Sequence, residues 1–394
     1  MQKDFAKNTP KIANDFHARG AKKYPHLTIP LSAGSGGADS DELISKIFLP
    51  HLGRFFVSEG EDAGVFGVGD LGRQGGKCGG KDSDENGVDF ALSTDSFVIS
   101  PIFFSGGDIG KLSVCGSSND VAMMGAKPEF ISFGFMIEEG LASSELERVA
   151  ESIAREVEKM GLKILSADTK VLPKGSLDTL FINTTCVGRV LKRGISSRAL
   201  QKGDKIILSA PIGAHGASIF ASREGIGLQS HLQSDCAQLF PMLEPILRGD
   251  FGIHALRDAT RGGLSAVLNE WANASGASIE IDEECIKIDD EVRGVCEILG
   301  LEAYMLANEG VCAMSVESSD AEKICEILRT HTLGKHAKII GEVTQTSDKK
   351  SANGKLTSDF AKSAMPNARV VLKNKWGSKR YMEYPQGELL PRIC

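Results

Sequence analysis

The sequence has 394 residues, of which 41% are hydrophobic and 25% are charged, and its net charge is −7. This length and composition are typical of a globular protein with two or three domains, and the negative charge argues against non-specific nucleic-acid binding. No apolar stretch is long enough to span a membrane, and the start of the chain lacks the apolar core of a signal peptide.

The chain begins with a polar extension, a glycine-rich turn and a helix. Residues 1–27 are polar and weakly patterned, which predicts a mobile N-terminal extension. A Gly/Ser/Ala turn at 32–37 then precedes an amphipathic run at 43–48 that predicts a helix. Residues 72–87 hold six glycines and several charges, which is typical of a flexible insertion loop.

The next segment alternates between strand and helix patterns. In chain order we predict strands at 90–94 and 97–99, a helix at 109–121, a helix at 143–160, and strands at 163–166 and 181–190. The helix at 143–160 has the clearest pattern, because Ser144 and Glu147 form a capping box and Gly161 ends the apolar face. The strand at 163–166 leads into a turn that contains Asp168, Thr169 and Lys170.

The second half repeats this alternation after a boundary near 191–203. We predict a strand at 205–209, a turn at 210–216, helices from 217 and at 264–274, strands at 277–281 and 311–317, a helix at 320–330 and a strand at 337–343. Residues 345–380 are polar and predict a linker. Strands alternating with helices in two similar units indicate an α/β or α+β class.

Four aspartates occur in turns or near strand ends: Asp62, Asp95, Asp120 and Asp258. Taken singly, such a residue is more often a helix cap or turn residue. Hard divalent cations such as Mg²⁺ prefer oxygen ligands and bind phosphates while they keep several waters, so the set of four predicts a magnesium–nucleotide site. The chain has no Gly-x-x-x-x-Gly-Lys-Ser/Thr loop, so a nucleotide would be bound by another design.

Three further residues are ambiguous from the sequence. Lys170 and Glu309 occur at predicted turns, and they become candidates for proton transfer only if burial moves their pKa values toward neutrality. His215, between Gly213 and Gly216, is predicted to be a hydrogen-bonded turn residue.

The last residue of the chain is a cysteine, Cys394. A thiol at the end of a tail can collect a group in one pocket and carry it elsewhere, although the adjacent terminal carboxylate should raise its pKa. The nine cysteines are otherwise scattered singly, with no CxxC pair. This spacing argues against structural zinc and a disulfide framework, and it predicts a cytoplasmic protein.

Several segments occur in an order that a known family shares. They are residues 92–96, 104–112, 119–122, 168–171, 181–184, 255–263, 292–297 and 307–310, followed by the terminal Pro391-Arg392-Ile393-Cys394. Together they resemble the HypE family, the carbamoyl dehydratases that mature [NiFe]-hydrogenases. The resemblance covers roughly residues 28–345 and the last dozen residues.

The resemblance implies an α+β fold like that of aminoimidazole-ribonucleotide synthetase, with two α/β-type domains. Residues 28–190 would form an N-terminal ATP-binding domain that dimerises through its sheet into a barrel. Residues 191–345 would form a C-terminal α/β domain, and residues 346–394 a linker and a flexible reactive tail.

The resemblance also implies site residues. Asp62, Asp95, Asp120 and Asp258 would bind Mg²⁺, and they would bind ATP together with Gly36, Gly37, Asn119 and Thr169. Cys394, Lys170 and Glu309 would be catalytic, with either Lys170 or Glu309 as the proton acceptor. The family carries a His where this chain has Ala33, so phosphate handling would proceed without that side chain.

The implied reaction starts when a HypF-like carbamoyltransferase loads the Cys394 sulfur. ATP then drives dehydration to a thiocyanate, and the tail delivers cyanide to iron on a HypC–HypD-like complex. A homodimer without a membrane or nucleic-acid partner is expected. Two other functions remain open: a synthetase that acts on a free small molecule, and a nucleotide-binding scaffold that presents the terminal thiol.

Overall fold

A computed structural model of the chain describes residues 28–34, 37–52, 61–67, 87–223, 231–346, 369–386, 390 and 392–394. The predicted extension at 1–27, Gly36, residues 72–86 of the predicted insertion and residues 347–368 of the predicted linker lie outside these ranges. Within the described ranges, no helix has the length and apolar character that a bilayer span requires.

The first half contains one short helical segment followed by strands and two long helices. Its elements are α1 Gly37–Leu43, α2 Leu49–Leu52, β1 Gly64–Gly67, β2 Asp89–Phe97, β3 Phe103–Phe104, β4 Gly107–Asp108, α3 Ile109–Met123, β5 Ala126–Glu138, α4 Ser143–Met160, β6 Lys163–Leu172 and β7 Leu180–Val190. A π-helical turn at Ile44–Phe48 joins α1 to α2, so the helix predicted at 43–48 lies inside a longer helical stretch.

The second half places helices among the strands of a larger sheet. Its elements are β8 Lys205–Leu208, α5 Ala214–Ser222, α6 Phe240–Arg248, β9 Ile253–Asp258, α7 Gly263–Ser275, β10 Ser278–Asp282, α8 Asp290–Leu299, β11 Cys312–Val316, α9 Ala321–Arg329, β12 Lys338–Gln345, β13 Arg369–Lys373 and β14 Lys379–Tyr381.

Each half is organised around one sheet. The first sheet has five strands in the order β1-β2-β7-β5-β6, all antiparallel except the parallel pair β5 and β6. The second has seven strands in the order β14-β13-β10-β12-β8-β11-β9, all antiparallel except the parallel pair β10 and β13. The predicted mixed α/β organisation in two units is therefore confirmed.

Helix α3 connects the two halves. It packs on β2, β5 and β7 of the first sheet and also contacts β9 and α6 of the second half. Nearly all of its residues are buried, and the small residues Ser113, Gly116 and Ser117 allow this close approach on every side. One continuous apolar core consequently runs from Phe97 and Ile182 in the first sheet to Ile206 and Ile279 in the second.

Four sequence predictions need correction. One strand, β2 at Asp89–Phe97, replaces the two strands predicted at 90–94 and 97–99. Ser144 does not cap α4, whose N-cap is Ala142 and has no side-chain hydrogen bond, although Gly161 ends the helix in the left-handed conformation as predicted. The polar linker at 345–380 contains β13 and β14, because Val370 and Leu372 alternate into the core between charged neighbours. The strand predicted at 163–166 continues to Leu172, so the expected turn at 168–170 is strand.

We predict that Gly116→Ala destabilises the fold by about 1–3 kcal/mol, the usual cost of overpacking a core. A β-carbon at this position would lie 2.7 Å from the Phe97 ring. Gly294→Ala in α8 is the matched control, since a β-carbon there meets nothing within 4 Å. That change should stabilise by about 0.5–1 kcal/mol through helix propensity. Urea unfolding of both variants measures the difference, and equal midpoints would contradict the packing of α3.

Candidate active site

An acidic cluster lies where α3 meets the second sheet. Asp62 precedes β1, Asp120 is in the last turn of α3, and Asp258 ends β9. One carboxylate oxygen from each of these three residues lies within 4.8 Å of the other two. Distant parts of the sequence thus contribute three oxygen ligands to a single point, as a hard divalent cation requires.

The raised pKa values of this cluster indicate that its carboxyl groups need a nearby positive charge in order to ionise. Burial, followed by the neighbouring carboxylates, raises the pKa values of Asp120 and Asp258 well above the usual range, and burial raises the pKa of Asp62 to about 6. Among the described residues, the buried Oδ2 atom of Asp258 has no hydrogen-bond partner. An unpartnered buried oxygen among repelling carboxylates would suit a divalent cation such as Mg²⁺.

Asp95, the fourth predicted ligand, borders the cluster. The Ser93 hydroxyl donates to Asp120 Oδ2 at 2.6 Å and lies 3.5 Å from Asp95 Oδ2. Among neighbouring charges, Asp95 has the largest effect on the pKa of Asp120. The structure therefore brings three of the four aspartates to one point and places the fourth beside them.

Arg257 is a site residue that the sequence reasoning missed. Its Nε atom lies 2.6 Å from Asp62 Oδ1, and its guanidinium also pairs with Glu270 Oε2 at 2.6 Å. The Tyr384 hydroxyl extends the network, donating to Asp41 Oδ2 at 2.8 Å. A guanidinium that pairs with two carboxylates in this way fixes the orientation of Asp62 toward the cluster. Its position directly before Asp258 was the available signal.

Glu309, which is buried, and Asp235, which is half-buried, form an acidic pair beside this cluster. Glu309 is 3% exposed, and its backbone N–H donates to Asp235 Oδ1 at 3.1 Å. Burial, with contributions from Cys236 and Asp258, raises the pKa of Glu309 well above its usual range, and burial raises the pKa of Asp235 to about 6. A carboxyl group with such a pKa holds a proton strongly once it has accepted it.

The C-terminal tail lies in the cleft next to Glu309. Val98 N–H donates to the Cys394 carbonyl at 3.1 Å, and Ser100 N–H donates to the Arg392 carbonyl at 3.2 Å. The side chains of Leu390 and Ile393 are buried in the main core. The described residues of the tail, 390 and 392–394, are therefore docked on the protein rather than projecting into solvent.

The Cys394 thiol is protonated in this position. Burial raises its pKa to about 11, the Arg261 guanidinium opposes that change, and Glu309 and Asp95 add to it. Burial is thus the main cause, whereas the sequence pointed to the terminal carboxylate. Arg261 interacts electrostatically with Cys394, Glu309 and Asp120, so one cation links the thiol, the acid pair and the acidic cluster.

The glycine-rich turn lies close to the same cation. Arg261 donates to the Gly34 carbonyl at 3.0 Å, and Ala33, which replaces the family His, is buried with its carbonyl bonded to Ser40 Oγ at 2.8 Å. Gly37 has a φ of +70°, and a β-carbon there would lie 2.5 Å from the Pro385 carbonyl oxygen. Only glycine permits this approach between the turn and the segment before the tail.

Three other predicted site residues have different surroundings. Asn119 is buried, with its amide donating to Ala237 O at 3.0 Å and accepting from Leu239 N–H at 2.8 Å. Lys170 and Thr169 lie in the exposed edge strand β6, where Lys170 Nζ pairs with Asp168 Oδ2 at 2.7 Å. Among the described residues, no contact joins Lys170 to the Cys394 sulfur of the same chain. The site roles of Asn119, Lys170 and Thr169 stay predictions.

Comparison with known proteins identifies the family of this fold. Residues 60–190 match the N-terminal domain, and residues 201–352 the C-terminal domain, of the AIR synthase related proteins. The chain is 40% identical to the carbamoyl dehydratase HypE of Escherichia coli K12, over 93% of this chain and 99% of that protein.

Two solved structures are similar as well. A HypE–HypF complex matches at 35% identity with a TM-score of 0.72, over 87% of this chain and 99% of the solved one. A HypE in complex with ATP matches at 36% identity with a TM-score of 0.70, over 93% of this chain and 100% of the solved one. The chain therefore belongs to the HypE family, which confirms the resemblance stated from the motifs and the two-domain fold that it implied.

Proposed function

We propose that this protein is an ATP-dependent enzyme that dehydrates a carbamoyl group carried on the Cys394 sulfur. The observation that carries the proposal is the position of the tail, which brings the thiol into the field of Arg261 and Glu309 beside the acidic cluster. The relative from E. coli is a carbamoyl dehydratase, and a similar HypE binds ATP. Both support this activity.

Loading of the sulfur takes place outside the cleft. The nucleophile is a thiolate, and burial raises the pKa of the docked Cys394 to about 11, so the docked thiol reacts slowly at neutral pH. A tail released into water loses that penalty and ionises more readily. A HypF-like carbamoyltransferase is the proposed donor, supported by the similar HypE–HypF complex.

Dehydration follows when the loaded tail docks. The carbamoyl oxygen attacks the γ-phosphate of ATP, and ADP leaves. In its ionised form, Glu309 is placed to accept an N–H proton; loss of both N–H protons and cleavage of the carbon–oxygen bond then release phosphate and leave a thiocyanate on the sulfur. Asp62, Asp120 and Asp258, with Asp95 at their side, would hold Mg²⁺, which neutralises charge on the phosphates. The buried Leu390 and Ile393 exclude water that would otherwise compete.

Delivery and assembly complete the proposal. The thiocyanate would pass cyanide to iron held by a HypC–HypD-like complex in the cytoplasm, and each of the eight described cysteines is free, as that compartment requires.

A homodimer through the first sheet is supported by the exposed apolar side chains of Ile164, Leu165 and Val171 on β6. The domain limits at 28–190 and 191–345 remain part of the proposal.

The mass of the C-terminal peptide tests the function. The protein is incubated with carbamoyl phosphate, ATP, Mg²⁺ and an active HypF-like carbamoyltransferase. We expect a carboxamide adduct on Cys394 that loses one water only when ATP is present. Cys394→Ala should still bind ATP but carry neither group. An unmodified Cys394, with the transferase shown to be active, would instead favour a small-molecule synthetase or a scaffold.

A further inference from the structure

His215 contacts the tail one residue before the reactive cysteine. It lies in the first turn of α5 and is fully buried, and its Nε2 atom is 2.6 Å from the Ile393 carbonyl oxygen. A carbonyl oxygen can only accept, so Nε2 carries the proton and donates. The sequence predicted a hydrogen-bonded turn histidine, and the bond exists, but its partner is 178 residues away.

The rest of the imidazole is held in one orientation. Nδ1 lies 2.8 Å from Ser234 Oγ, which in turn accepts from the Cys236 N–H at 3.0 Å. The Phe104 ring packs edge-on against the imidazole, with 5.6 Å between the centroids. Burial lowers the pKa of His215 to about 4, so the ring is neutral and Nδ1 accepts the serine proton. The donor that meets the tail is thus fixed in both tautomer and direction.

Side-chain contacts also hold the tail at Arg392, whose Nε atom donates to the Val98 carbonyl at 2.9 Å and whose guanidinium pairs with Asp178. The bonds from Val98 and Ser100 are of the backbone-to-backbone type, which any residue of an extended segment can make. Arg392 also has a φ of 51°, a strained conformation that the docked tail keeps only because contacts on both sides hold it. His215 adds a side-chain donor at the Ile393 carbonyl, which lies between the carbonyls that Ser100 and Val98 bind.

We propose that His215 is a positioning residue for the tail: its Nε2–H binds the Ile393 carbonyl and thereby keeps the tail docked, with the Cys394 sulfur in the field of Arg261 and Glu309. The proposal deepens the proposed function and rests on it for its biological purpose. Its structural content, however, is independent of turnover. Without the donor, the tail spends more time undocked, where its thiol is open to reagents.

The rate of Cys394 alkylation by iodoacetamide, followed by the mass of the C-terminal peptide, tests this. We expect His215→Leu, which keeps the volume but lacks a donor, to raise the rate roughly 2- to 10-fold, the range that loss of one hydrogen bond produces. His215→Gln, whose side-chain amide can donate, should stay near the wild-type rate. The first-order dehydration rate of the loaded tail should fall by no more than this factor in His215→Leu, with ATP affinity unchanged.

Equal alkylation rates in the wild type and both variants would overturn the proposal. The proposal would also fail if His215→Gln reacted as fast as His215→Leu while the two variants had the same unfolding midpoint. If His215→Leu does not fold, the ¹⁵N spectrum of the wild-type histidine decides, because a neutral ring protonated on Nδ1 would contradict the bond. If dehydration itself is absent while the alkylation pattern holds, the proposed function fails and the positioning role stands.

Discussion

Glu309→Gln should slow dehydration of the loaded tail by about 10²–10⁴-fold, the usual contribution of a positioned proton acceptor. The amide has the same shape but cannot accept the carbamoyl proton. Because burial disfavours the ionised form of Glu309, replacement by a neutral amide should not destabilise the fold. The carboxamide adduct should therefore accumulate on Cys394, since loading does not need this carboxylate.

Single-turnover mass spectrometry of the C-terminal peptide measures this effect, with Glu139→Gln as the matched control on an exposed glutamate. Lys170→Gln distinguishes the other candidate. A loss of dehydration in Lys170→Gln with normal rates in Glu309→Gln would assign the acceptor to Lys170. The contacts of the docked thiol favour Glu309, because Glu309 rather than Lys170 is among the groups that act on its pKa.

Asp258→Asn should abolish the stabilisation that Mg²⁺ and ATP give while leaving the ligand-free protein at least as stable as the wild type. Burial and the neighbouring Asp62 make the Asp258 carboxylate unfavourable in the folded state, so removal of its charge relieves repulsion. The same change removes an oxygen ligand with a full charge from the candidate metal site. A variant that is more stable without ligand but no longer binds the ligand indicates that the removed charge serves function rather than stability.

Thermal unfolding with and without Mg²⁺ and ATP provides the measurement. Ligand at 100 times its Kd stabilises by about 2.7 kcal/mol, and this increment should disappear in the variant. Asp250→Asn, the same chemical change at an exposed position, should keep it. An unchanged increment in Asp258→Asn would exclude the residue from the metal site.

The strongest local patterns predicted the fold best. Helix α4 was correct to within one residue because its apolar face is regular and Gly161 ends it. Strand β5 was missed because Pro128 and Gly134 interrupt its pattern; the structure tolerates them through an irregular register beside Pro128. Strand β13 was hidden by the charges around Val370, whose burial depends on a neighbouring strand far away in sequence.

The site shows the same division between local and distant information. Sequence patterns predicted the aspartates and Cys394 as site residues, because each pattern is a short run of residues. The partners of those residues are far apart in the chain: Arg257 meets Asp62 across 195 positions, and His215 meets Ile393 across 178. Such pairs depend on the arrangement of two sheets around α3, which no local pattern contains.

The segment before the tail limits where the reactive sulfur can travel. Ser265 Oγ donates to the Glu383 carbonyl, and Ala38 N–H donates to the Pro385 carbonyl at 3.3 Å, so the chain is attached to α7 and α1 up to this point. Eight residues follow Gln386, and eight residues in an extended chain span about 26–29 Å. Under the proposed function, an enzyme that loads Cys394 and an iron site that receives cyanide from it would each have to bring the reaction centre within that distance of Gln386. The short length of this tail would thus determine the face of the protein on which the sulfur is loaded and unloaded.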